Sequence, residues 1–315
     1  MRIHTVTAGL AIGLMALTFS AHADTIRFGA GQQGSQNYGV NAALAQAIGS
    51  STGVEVSVQS YGGPTAYLPL LDDGELDMAA VVMPDLGDAV RGAGPFKDMP
   101  LKSLRLVVAL MPSPVGLMVR ADAGINTIAD LKGKRIAWGM PAQASLQPYV
   151  EGALANGGLS ASDITPVPVA SVANGVAALI SGNVDAALFA LRGGKVVEAD
   201  AAVGGIKWLP FDNSSEAVAR MQAIAPEAYV LNIVADAGVT GVTEPLETMA
   251  YDYALVTREG FDPETVAAVA KLLVDKHADV AASNSILGAL SDEAMKRTYP
   301  GIPYHPAAAD ALGEQ

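Results

Sequence analysis

Phe28-Gly29-Ala30-Gly31-Gln32-Gln33-Gly34-Ser35-Gln36-Asn37-Tyr38 is the stretch on which the reading of this chain turns. A short strand over Thr25–Phe28 feeds a glycine-rich turn, and a helix starts near Ser35. Such a turn presents backbone N–H groups at a helix N-terminus, where an anionic or polar ligand can be held. Gly29, Gly31 and Gly34 also spell Gly-x-Gly-x-x-Gly, which taken alone points to a dinucleotide fold. The acidic residue that such a fold needs at the end of its second strand is missing, because that position falls near Ser60 and Tyr61 while Glu55 lies at the strand's start.

Outward from that stretch the first unit reads as strand Thr25–Phe28, helix Gln36–Ile48, strand Val54–Ser60, helix Thr65–Asp72 and strand Met78–Val82. Val40, Ala43, Leu44, Ala47 and Ile48 recur at helical spacing, and Val54, Val56 and Val58 alternate as in a strand. A second unit follows as strand Arg135–Trp138, helix Ser145–Ala155, strand Ile164–Val169, helix Asn174–Ile180 and strand Ala186–Ala190. Leu71-Asp72-Asp73-Gly74-Glu75-Leu76-Asp77 matches Leu179-Ile180-Ser181-Gly182-Asn183-Val184-Asp185 in pattern: a helix ends at Gly, then a hydrophobe and an Asp lead into a buried strand. One architecture used twice accounts for this, and so do two α/β units that share turn grammar. Leu104–Met111, stopped by Pro112 and Pro114, and Ala228–Ile233 are read as crossovers between the two. A helix over Pro263–His277 follows Asp262 as its N-cap, and the tail returns to the first unit.

Composition agrees with tightly packed α/β layers: half the residues are hydrophobic and only 5% are aromatic. Val6–Phe19 is an apolar run after Arg2 and His4, and Ala21-His22-Ala23 closes it as a small-x-small cleavage site, so residues 1–23 read as an export signal. Export with no cysteine fits the bacterial periplasm, where a chain of this length relies on its core instead of disulfides. A net charge of −13 without a basic stripe argues against nucleic-acid binding. A protein outside the cytoplasm also lacks ready access to nicotinamide cofactors.

Ligands in open α/β sheets sit beyond the carboxyl ends of the strands. Two facing units then make a cleft lined by strand-to-helix loops, Gly31–Tyr38, Tyr61–Thr65 and Met83–Asp88 on one side and Met140–Ser145, Ala170–Ala173 and Leu191–Gly194 on the other. Gln33, Ser35, Gln36, Asn37, Gln143 and Ser145 are candidates to hydrogen-bond a small polar ligand, with Tyr38 and Tyr61 as walls. Arg192 either pairs a ligand carboxylate or is a solvated surface arginine. Asp85 either binds an ammonium group or caps the helix after it. Enzyme signals are poor: His277 and His305 stand apart, no Ser is framed as Gly-x-Ser-x-Gly, and no cluster has zinc spacing.

Gly34-Ser35-Gln36-Asn37-Tyr38, Gln59-Ser60-Tyr61-Gly62-Gly63, Gly74-Glu75-Leu76-Asp77, Asp130-Leu131-Lys132-Gly133-Lys134, Gly182-Asn183-Val184-Asp185-Ala186 and Pro303-Tyr304-His305-Pro306 follow one another in an order that resembles the TAXI family. TAXI proteins are solute-binding proteins of tripartite ATP-independent periplasmic (TRAP) transporters. The resemblance implies an α/β two-lobe periplasmic binding protein fold, type II-like, with the ligand cleft between lobes joined by two crossovers. Lobe 1 is then residues 24–111 plus 229–315 and lobe 2 is 112–228. It implies capture of a small organic solute, often a carboxylate or amino acid, for membrane permease subunits. It also adds Gly63 and Tyr67 to the ligand-contact candidates, within Tyr61–Tyr67. Neither cofactor, metal nor nucleic acid is expected, and the protein is expected to act as a monomer. The alternatives are the same fold serving an ATP-driven importer or a sensor kinase, and an exported α/β enzyme.

Overall fold

A computed structural model describes residues 25–234, 238–290, 292–295, 297–299 and 301–313. The expected export signal lies outside the described residues. In chain order the elements are β1 (Ile26–Ala30), α1 (Gln36–Thr52), β2 (Val56–Ser60), α2 (Pro64–Asp72), β3 (Met78–Val82), α3 (Met83–Arg91), β4 (Leu104–Arg120), β5 (Arg135–Gly139), α4 (Gln147–Asn156), β6 (Thr165–Val169), α5 (Val172–Ile180), β7 (Ala186–Ala190), α6 (Lys195–Val203), β8 (Ile206–Trp208), α7 (Ser215–Gln222), β9 (Tyr229–Ile233), β10 (Leu246–Arg258), α8 (Pro263–Ser283), α9 (Asp292–Met295) and α10 (Pro306–Leu312).

The strands join in the order β2-β1-β3-β10-β4-β7-β5-β6, with β8 on β4 and β9 on β10. The order is the same from either end: β2-β1-β3 in the first unit, β6-β5-β7 in the second, with β10 and β4 between them. Strand β3, Met-Ala-Ala-Val-Val, is buried at every position because helices cover both faces. Ala80 and Val82 pack with Val40 and Leu44 of α1, while Ala79 and Val81 pack with Leu68 of α2 and Leu86 of α3. In the second unit Leu188 packs with Val150 and Leu154 of α4, and Ala187 with Val176 of α5 and Val196 of α6.

The shared Asp after Gly has a structural reason. Arg27 donates from its backbone N–H to Asp77 Oδ2 at 2.9 Å and from Nε and Nη2 to the same carboxylate at 2.8 Å each. Arg135 repeats this on Asp185, with the backbone N–H at 2.8 Å, Nε at 3.2 Å and Nη2 at 2.6 Å. Both pairs are 50 residues apart, so each ties the first strand of its unit to the third. Burial pushes the Asp77 carboxyl up, but the hydrogen bonds from Arg27 and Arg258 outweigh it and hold the group below its usual range. The match between the units is therefore one bidentate clamp made twice.

The crossovers differ from the sequence reading. Strand β4 runs through Pro112 and Pro114 instead of stopping there. Pro114 O accepts from Leu191 N at 3.0 Å, so the missing N–H of this proline faces the β7 side and not β10. Strand β7 pairs β4 only from Val115 onward, so no ladder bond is lost. Ala228–Ile233 is not a crossover. Its strand, β9, lies along Leu246–Ala250, and β10 itself runs on to pair β3 through Tyr253–Thr257. Pro112–Pro114 and Tyr251–Asp252 are opposite one another; there β10 has left β9 and not yet met β3, and β4 has not yet met β7. Met83–Asp88, expected as a loop, is the start of α3, which follows β3 without a break. Helix α8 begins as expected, with Asp262 Oδ2 accepting from Thr265 N at 2.8 Å, and the tail returns to β4, where His305 N donates to Leu106 O at 2.8 Å.

Candidate functional site

The carboxyl ends of β1, β2 and β3 face those of β5, β6 and β7 across a cavity of about 570 Å³. Its floor is made by the two long strands, through Ser113 and Val115 of β4 and Tyr251 and Tyr253 of β10. That volume falls in the range of about 300–1,000 Å³ usual for sites that take small molecules.

The first wall is Gly31–Asn37. Ser35 caps α1, accepting from Tyr38 N at 3.1 Å and donating from Oγ to Gln32 O at 2.7 Å. Asn37 Oδ1 accepts from Gly31 N at 2.7 Å, and Asn37 Nδ2 donates to Ala80 O at 2.9 Å, so this side chain fastens the turn to β3. The opposing wall is fastened in the same manner. Gln143 Oε1 accepts from Val172 N at 3.2 Å, and Ser171 caps α5 by accepting from Asn174 N at 3.1 Å.

Of the candidates from the sequence, Gln33, Ser35, Gln36, Asn37, Gly63, Asp85 and Gln143 line the cavity together. Tyr38 and Tyr61 are half-buried beside it. Tyr67 is fully buried beneath the Gly31–Asn37 turn, its hydroxyl 3.4 Å from Ala80 O. Ser145 is buried, and its Oγ, close to the Asp85 and Asp88 carboxyls, meets the geometry of a hydrogen bond with neither. Arg192 is exposed and off the lining, whereas Gly193, Gly194 and Lys195 after it are on it. Lys195 Nζ pairs Glu198 Oε2 at 3.1 Å. The sequence reading omitted Tyr251, Tyr253, Ser113, Val115, Lys195 and Glu198. Tyr251-Asp252-Tyr253 does carry a signal: strand alternation sets both rings on one face.

Asp85, in the first turn of α3, is 3% exposed. Burial, reinforced by the nearby charge of Asp88, pushes its carboxyl up to about 7. Burial likewise raises the Tyr67, Tyr251 and Tyr253 hydroxyls, with the Asp85 charge adding to each.

The two sides touch at the cavity rim. A Cβ on Gly63, the residue before α2, would stand 2.8 Å from Ala142 O, a backbone atom that cannot swing away. Arg91 Nη2 of α3 pairs Glu227 Oε1 at 2.8 Å, and Tyr149 Oη of α4 donates to Glu227 Oε2 at 2.7 Å. Gly63→Ala is expected to hinder this closed contact and weaken solute binding by roughly 1–3 kcal/mol, the usual cost of overpacking. Titration calorimetry with a solute that stabilises the wild type checks this, and an unchanged affinity would contradict it.

Comparison with solved structures places the fold. A structure of a periplasmic transporter has a TM-score of 0.56 at 13% identity, over 92% of this chain and 93% of that one. A histidine kinase sensor domain with similarity to periplasmic binding proteins gives 0.53 at 15% identity, over 85% and 97%. The amino acid ABC transporter substrate-binding protein AbpA from Streptococcus pneumoniae, bound to L-arginine, gives 0.50 at 15% identity, over 86% and 94%. The architecture is the α/β fold of the periplasmic binding proteins, with its cleft between two lobes. Residues 28–315 match the NMT1-like family, and the chain belongs to that family.

Proposed function

We propose that this chain is a periplasmic solute-binding protein that closes over a small polar organic solute, a carboxylate or an amino acid, and delivers it to the membrane permease of a TRAP transporter. The observation that carries this reading is the cavity itself. It lies between two like units on a floor of two continuous strands, and amides, hydroxyls and glycines furnish its walls. Hinged closure is a known use of such a cleft. Bending at Pro112–Pro114 and Tyr251–Asp252 would open it, which puts the lobe boundaries within β4 and β10. Lobe 1 then comprises the residues before Pro112 and those from about Asp252 onward. The contact set we infer is Gln33, Ser35, Gln36, Asn37, Gly63, Asp85 and Gln143, joined by Tyr251, Tyr253 and Lys195.

The TRAP assignment rests on the ordered TAXI-like motifs, now within a chain of the NMT1-like family. Service to a sensor kinase is the second reading, favoured by the likeness to a kinase sensor domain. Thermal unfolding against a panel of amino acids and mono- and dicarboxylates tests solute binding. A solute at a hundred times its Kd should stabilise the folded protein by about 2.7 kcal/mol. A folded protein that no small organic solute stabilises would sink the reading.

A further inference from the structure

We propose that the solute carries a protonated nitrogen, seated on the Asp85 carboxylate beside Tyr251 and Tyr253. This rests on the solute-binding reading above and narrows it to amines and amino acids, leaving out carboxylates that lack nitrogen.

The charges around the cavity carry the inference. Its lining holds Asp85, Lys195 and Glu198 as charged side chains. Lys195 and Glu198 pair with one another at the mouth, where both side chains are more than a third exposed. Asp85 is deep, almost wholly buried, and has no ion-pair partner among the described residues. The nearest cation on its own helix, Arg91, is engaged by Glu227 at 2.8 Å and by Asp88 at 3.8 Å. A buried carboxylate without a cation is costly, and a ligand ammonium that arrives with hydrogen-bond donors removes that cost. Tyrosine rings at the same floor add attraction for a cation. The negative charge of the whole chain, −13, works in the same direction at longer range. If the solute is an amino acid, its carboxylate lies near the N-termini of α1 and α5 at the opposite walls.

Several groups face Asp85. They are Asp88 on α3, Tyr67 on α2, Tyr251 and Tyr253 on β10, and Ser145 in the turn before α4. Asp88 in turn meets Arg91 and Glu227, and Lys195 and Glu198 lie across the cavity. Because the unliganded protein keeps a proton on Asp85 below about pH 7, a cationic solute must displace that proton there. Its affinity should therefore rise about tenfold per pH unit below pH 7 and level off above it.

The experiment uses the full mature chain at pH 8. One panel holds amino acids, diamines, polyamines and quaternary ammonium compounds; the other holds mono- and dicarboxylates and neutral sugars without nitrogen. Stabilisation by members of the first panel and none of the second is the expected result. Asp85→Asn should then lower affinity for the responding amine at least about a hundredfold and abolish the pH slope. Asparagine is isosteric with the protonated acid, so the variant keeps its fold, which its unliganded melting temperature verifies. A nitrogen-free solute that stabilises wild type and Asp85→Asn equally would overturn the inference and leave the solute-binding reading standing. An amine whose affinity ignores Asp85→Asn would also overturn it. Silence from both panels would remove the broader reading as well.

Discussion

Arg297→Met should lower the stability of this protein by about 3 kcal/mol. Asp252 is buried at the middle of β10 and takes Arg297 Nη1 at 2.8 Å on Oδ2 and 3.0 Å on Oδ1. Tyr229 Oη donates to Oδ1 at 2.6 Å, and Tyr299 Oη donates to Oδ2. Removing one partner of a buried ion pair costs about 3–5 kcal/mol because the other charge is left uncompensated. The low end applies because the two tyrosine hydroxyls stay and because Arg297 is itself about a third exposed, with its side chain at 34%. The cluster anchors the C-terminal residues to β10 where that strand passes from β9 to β3. Urea unfolding gives the number, and a loss under about 1 kcal/mol would show that the pair is not the anchor. Pairing Arg297→Met with Asp252→Asn should recover part of the loss, since then no charge is left alone.

Asp85→Asn should stabilise the unliganded protein at pH 8 by up to about 4 kcal/mol and leave it unchanged near pH 4. The sign follows from proton counting. Asp85 titrates at about 7 when folded, whereas the unfolded chain has it in the ordinary carboxylate range, near 4. Between those values the folded state holds the extra proton. Stability therefore falls as pH rises from about 4 to about 7 and is flat beyond. About three pH units at 1.36 kcal/mol each give the upper figure. Asparagine carries no such charge and escapes the penalty. Asp88 is also shifted upward by burial, and its charge adds to the Asp85 shift, so the difference between the two proteins includes their coupling. Denaturant midpoints at several pH values measure it. A variant less stable than wild type at pH 8 would show that the carboxylate has a cation partner. A binding site that holds such a charge gives up stability for function, a pattern common among binding and catalytic sites.

The two strand-helix-strand-helix-strand units were legible because their signals are local. Valines alternate over Val54–Val58, and Ser35 caps the first helix, which Gly53 ends. The repeat was legible through Asp77 and Asp185, though the arginines that explain it were not picked out. Aligning the units at those aspartates sets Arg27 against Arg135, which is the clue the sequence did hold. Pro112 and Pro114 misled the reading of β4, since a proline forbids a ladder bond only on the side its nitrogen faces. Helix α3 was read as a loop because Met83-Pro84-Asp85 gives no side-chain cap to mark its start.

The glycine-rich turn at Phe28–Tyr38 shows where the division lies. Sequence alone determined that a strand ends there, that Ser35 opens a helix, and that polar groups gather at the junction, because each depends on residues within a few positions. Tertiary structure decided that Asn37 fastens the turn to β3, that Tyr251 and Tyr253 floor the cavity, and that Lys195 lines it while Arg192 stays outside. It also decided that Asp85 is buried with no ion-pair partner among the described residues. Burial and electrostatic environment are set by groups that the sheet order brings together from distant parts of the chain, and no local pattern encodes that distance.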